Sequence, residues 1–182
     1  MSDDTGLGTT IHEPSMTAGE VEMLLFALER SRAQFAWKVG GLGAEGLHRP
    51  HPPSAMTLGG LVKHLALVEH QRTAEDLGGP GYGQQWSGFD GAGWDWRSAA
   101  DDTPEELYAL WRGAVERSRA AWVRALADGG LDQPSKVEVS GAPPNLRRVL
   151  VDLHDEYARH VGHADLFREA IDRLVGEDPP QP

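Results

Sequence analysis

The sequence has no cysteine. That excludes disulfide frameworks, cysteine zinc sites, iron–sulfur clusters and catalysis by a protein thiol. Positive charge is also short: 17 Lys+Arg face 28 Asp+Glu, for a formal net charge of −11. Such a chain is a poor partner for nucleic acid or an anionic membrane surface, and neither is expected as a partner. No apolar run reaches the roughly 18 residues of a membrane span. The start, Met1-Ser2-Asp3-Asp4, lacks the basic and apolar regions of a signal peptide. The expectation is a soluble, cytoplasmic protein. Its 182 residues suit one domain that buries about 70% of its unfolded surface, enough to fold without a covalent staple.

What is present is helical periodicity. Residues 1–16 read as a flexible arm of Gly, Thr, Pro and acids. Residues 17–175 read as a single domain, and 176–182 as a tail. Thr17-Ala18-Gly19-Glu20 predicts a capping box, followed by Val21, Leu24, Leu25, Leu28, Phe35 and Val39 on one face. Thr57 predicts the start of a second helix that runs to about Leu77, where a Gly/Pro cluster ends it. Residues 78–102 then predict a long glycine-rich loop carrying Trp86, Trp94 and Trp96, long enough to act as a lid or pocket wall. Thr103-Pro104-Glu105-Glu106 predicts a third helix with Pro at N1 and Glu at N3. Asn145 caps a fourth, expected to reach about Val175. Residues 136–140 could form a short strand, with nothing to pair it. The fold class is all-α, a four-helix bundle.

The polar residues that break the apolar pattern carry the functional reading. On a wheel of 100° per residue, the apolar stripe of the last helix holds Val149, Leu153, Ala164, Phe167 and Ile171. Glu156 and His160, spaced i and i+4, fall inside that stripe. His64 falls inside the apolar arc of the second helix. An unpaired buried carboxylate costs several kcal/mol or takes up a proton. One carboxylate and two imidazoles converging in a bundle core are well suited to a divalent metal. The set matches catalytic zinc sites with an open position, and also the two-His, one-carboxylate set of non-haem iron. The plainer alternative is satisfied core histidines, with Glu156 paired to Arg159. His163, one turn beyond His160, is a reserve or supporting group, and Asp152 could orient a ligand or a water. His48 and His51, in a Pro-rich connector, are expected to be exposed. His12 lies in the arm, and His70 and His154 lie off the stripes.

Two segments resemble a known family. Ser54-Ala55-Met56-Thr57-Leu58-Gly59-Gly60-Leu61-Val62-Lys63-His64-Leu65-Ala66 resembles the second-helix signature of the DinB-like superfamily. Asp155-Glu156-Tyr157-Ala158-Arg159-His160-Val161-Gly162-His163-Ala164-Asp165-Leu166-Phe167-Arg168-Glu169 is similar to its last-helix signature. The branch is that of the metal-binding domain of mycothiol-dependent maleylpyruvate isomerase, together with the mycothiol and bacillithiol transferases. The resemblance runs from about residue 20 to 173. It implies an up-down-down-up bundle and three metal ligands, which fall on His64, Glu156 and His160. It implies Zn2+ as the metal, with Ni2+, Fe2+ or Mn2+ as alternatives, and mycothiol or a related thiol as co-substrate. The implied function is thiol-dependent S-transfer to a small electrophile, or an isomerisation by addition and elimination. Trp86, Trp94 and Trp96 are candidates for the pocket wall. A metal-dependent hydrolase that uses water, and a non-catalytic module that binds a metal or small molecule, stay open as alternatives. So does a homodimer.

Overall fold

The computed structural model describes residues 7–181, so the acidic start Met1-Ser2-Asp3-Asp4 lies outside the described residues. In chain order, α1 spans Glu20–Val39, the short α2 Ala44–Leu47 and α3 Leu58–Gln71, which widens into a π-helical turn over Arg72–Asp76. Then come α4 (Trp94–Ser98), α5 (Pro104–Gly129) and α6 (Leu146–Asp172). No strand forms among the described residues. Segment 136–140 instead closes a tight turn, with Val139 bridged to Ala142 and Ser140 and Gly141 at φ 54° and 89°.

Three of the four long helices start where their caps predict. Thr57 Oγ1 accepts from Gly60 N at 3.0 Å, and Asn145 Oδ1 from Arg148 N at 3.0 Å. Thr103 and Glu106 form the full capping box ahead of Pro104. The expected box at Thr17 does not form. α1 starts at Glu20 behind Gly19, and the Glu20 carboxylate is engaged by Arg147 of α6 through two guanidinium nitrogens. A charge-assisted, two-point pair outcompetes a single bond to a backbone N–H. The last helix ends at Asp172, short of the expected Val175, because Arg173 turns left-handed at φ 65°.

Side-chain pairs give the directions of the helices. Glu20 and Arg147 meet at the starts of α1 and α6, while Lys38 O and Arg168 meet near their ends. These two helices therefore rise together. The Tyr108 hydroxyl at the start of α5 donates to Val39 O at the end of α1, so α5 runs against α1. Gly59 and Leu107 approach each other near the starts of α3 and α5, which run alongside one another. Leu28, Phe35, Leu61, Val62, Leu65, Leu107, Leu150, Leu153 and Tyr157 are sealed inside, none more than 0% exposed.

The stretch 78–102 is more ordered than a loop. It carries a 3-10 turn at Gln84–Trp86, α4, and a second 3-10 turn at Ala99–Asp101. From Leu7 onward, the described part of the arm and the tail are tied to each other and to α1. Leu7 is buried, Ile11 N donates to Gln181, and Asp178 accepts from Arg30 and Gln34 of α1.

A polar network lies within the apolar interior. Arg32 of α1, 2% exposed, donates through two nitrogens to Glu69 of α3, which is 0% exposed. It also reaches Ser118 and Glu29. The Tyr157 hydroxyl accepts from Trp111 Nε1 at 2.9 Å, and burial together with the Glu69 charge raises its pKa well above the usual value. Burial is the largest single influence and acts to lower the Arg32 pKa, but the charges of Glu69, Tyr157 and Glu29 and the Glu69 hydrogen bond together outweigh it and raise the pKa.

Candidate metal centre

Regular α-helix sets the spacing on both sides of the site. α3 delivers His64, and one turn of α6 separates Glu156 from His160. Among the described residues these three form a group whose potential ligand atoms all lie within 4.8 Å of one another. His160 Nε2 is 3.3 Å from Glu156 Oε2, and His64 Nε2 is 3.6 Å from the same oxygen. The two imidazole rings meet edge to face, centroids 4.7 Å apart. Arg159 pairs with Asp155 and leaves Glu156 alone.

The three differ in burial. His160 is sealed, whereas the side chains of His64 and Glu156 are 20% and 35% exposed. The wheel placed all three in the core. The structure puts Glu156 at the edge of the bundle, so the cluster has one open flank. Burial, reinforced by the neighbouring His64, pushes the His160 pKa down to about 4, against a pull upward from Glu156. Its imidazole is therefore neutral near pH 7 and holds a lone pair.

The other sequence candidates divide. His163 lies beside the cluster, its Nδ1 3.3 Å from His160 Nδ1. Asp152 is drawn away, accepting from Arg148 at 2.7 Å. Trp96 stacks on His64, centroids 4.8 Å apart and planes 23° off parallel. Trp94 does not touch the cluster; it lies under the Lys63 ammonium and walls a cavity of about 620 Å³ with Lys63, Asp102 and Arg117. Trp86, buried, packs on His70 and Trp94. His48 and His51 are half-buried rather than exposed, and His51 stacks on Phe167.

One site residue escaped the sequence reading. Asp95 of α4, 4% exposed, brings Oδ2 to 2.7 Å from His64 Nδ1. Burial acts to raise its pKa, but the hydrogen bond and charge of His64, with backbone N–H groups, hold it below the usual carboxylate value. The available signal was an acid flanked by two tryptophans, Trp94 and Trp96, in a glycine-rich stretch.

The sequence profile of the mycothiol-S-transferase family matches residues 23–173. The chain belongs to this family. That span includes α3, α4 and α6, and hence every residue of the mycothiol-S-transferase family member's cluster. The family lies within the DinB-like branch indicated by the helix signatures. No curated protein matches the chain significantly. No helix among the described residues is long and apolar enough to cross a membrane.

Proposed function

We propose that this protein is a metal-dependent S-transferase that joins a mycothiol-type thiol to a small electrophile. His64, Glu156 and His160 hold a divalent cation, with Zn2+ the metal of choice. The donor set fits such an ion: two imidazoles and a carboxylate, their ligand atoms within 4.8 Å, one imidazole kept neutral by burial and, among the described residues, no Lys or Arg paired to Glu156. Three protein ligands leave a coordination position free. When bound, the cation supplies Lewis acidity that favours the ionised form of a thiol near neutral pH.

The chain's own residues hold and orient. Trp96 covers one face of His64 and keeps water from it. The exposed flank of Glu156 is the side from which a thiol can approach. The thiol sulfur forms a C–S bond with the electrophile, its proton passes to solvent, and the electrophile's leaving group departs with the bonding pair. We place this activity in the cytoplasm, where low-molecular-weight thiols stay reduced.

The convergence of His64, Glu156 and His160 in a member of this family carries the proposal. Its test is thiol consumption by the Zn2+-loaded protein with a bimane electrophile and mycothiol, bacillithiol or glutathione in turn. Zinc-dependent consumption, lost in Glu156→Ala and His160→Ala, is expected. Turnover without thiol would replace the transferase with a hydrolase. Metal binding without turnover of any kind would leave a non-catalytic module.

A further inference from the structure

The short helix α4 makes a specific approach to His64. Gly93, at φ +79°, turns the chain into it, and Arg97 ties its outer side back to Asp90. Its inner side presents Asp95 to one edge of the His64 ring and Trp96 to one face. The approach is close enough to constrain α3: a Cβ on Gly60 would stand 2.9 Å from Trp96 Cε3. The His64 ring is thus held on an edge by a hydrogen bond and on a face by stacking.

An ionised carboxylate can only accept a hydrogen bond. The 2.7 Å contact between Asp95 and His64 Nδ1 therefore requires the proton on Nδ1. In neutral imidazole that leaves Nε2 unprotonated, and Nε2 is the nitrogen that faces Glu156, 3.6 Å away. Were the proton on Nε2, His64 would present a donor to the cluster and could not act as a ligand.

We propose that Asp95 is a positioning residue that fixes His64 as its Nδ1–H tautomer and aims the Nε2 lone pair at the space shared with Glu156 and His160. This rests on the metal-site reading above. It adds a coupling: whatever factor Asp95 contributes to metal affinity, a bound metal returns to the docking of α4 on α3. Metal loading therefore protects the α4 backbone.

The test starts with metal-free protein, in which long-range proton–nitrogen NMR correlations report which ring nitrogen of His64 carries hydrogen. Wild type shows Nδ1–H. Asp95→Asn, nearly isosteric but able to donate, moves the proton to Nε2, and Asp95→Glu restores the wild-type pattern. Zn2+ titration of the same proteins then shows affinity about 10- to 100-fold weaker in Asp95→Asn, the usual scale for removing such a partner. Amide exchange over Trp94–Ser98 slows on adding Zn2+ to wild type, and slows less in the variant. An unchanged tautomer, or equal zinc affinity in wild type and Asp95→Asn, overturns the proposal. A wild type that shows the tautomer shift with Asp95→Asn yet binds no Zn2+ overturns the metal site and leaves the positioning role of Asp95 standing.

Discussion

Two polar clusters interrupt the same apolar interior, and they differ in how they are satisfied. Around Arg32, every group meets its complement: a guanidinium spans a carboxylate, a hydroxyl and a second acid, and Tyr157 and Trp111 complete the set. Around His64, two imidazole nitrogens converge on one carboxylate oxygen, and among the described residues no Lys or Arg pairs with it. The first cluster closes on itself and is structural. The second brings two ring nitrogens and a carboxylate oxygen within reach of a single cation. Burial alone does not mark a binding site: Glu69 is the more buried carboxylate, yet Glu156 lies in the candidate site.

The sharpest break in this comparison comes from the closed cluster. Glu69→Ala leaves the Arg32 charge buried without its main partner, and a loss of about 3–5 kcal/mol is expected in urea denaturation. Zinc affinity, measured on the folded fraction, should be unchanged. The open cluster should behave in the opposite way. Adding Zn2+ at a hundred times its dissociation constant should raise unfolding free energy by about 2.7 kcal/mol, and Glu156→Ala should abolish that gain. His160→Ala should lose zinc while costing the metal-free protein less than about 2 kcal/mol, because no saturated network depends on it.

The smallest effect concerns a buried imidazole outside both clusters. His70 lies against Tyr82 and Trp86, its Nε2 without a partner. Burial, with the Arg117 charge on α5 adding to it, lowers its pKa from 6.5. The folded state thus binds fewer protons than the unfolded state as pH falls below that value. Its contribution to stability is complete above about pH 6.5 and declines as pH falls towards the depressed value. His70→Phe should flatten the acid limb of stability against pH, and an unchanged limb would show that other groups set it.

The sequence reading and the structure agree best where local chemistry decides. The caps at Thr57, Thr103 and Asn145 are each read from a few neighbouring residues, and each forms. His64, Glu156 and His160 were legible because helical periodicity turns sequence position into direction, and polar residues on an apolar stripe stand out. Most of the failures share a cause, which is partners distant in sequence. Glu20 left its capping role for Arg147, 127 residues away. Asp152 is the exception: its partner Arg148 is local, one turn back, while the residue that reaches His64 is Asp95, 31 positions away in a segment with no periodicity to show which way a side chain faces. The Arg32–Glu69 pair was hidden for the same reason, since a charged residue on a helix gives no sign of a complement on another helix.

Tyr157 follows Glu156 directly in the chain, and the two side chains serve different clusters. With its hydroxyl accepting from Trp111 Nε1 of α5 at 2.9 Å, Tyr157 works like a key in a shaft. α6 cannot roll about its axis without breaking that bond, so the angular setting of Glu156 and His160 is held from the sealed side of the bundle as well as by the residues that surround them.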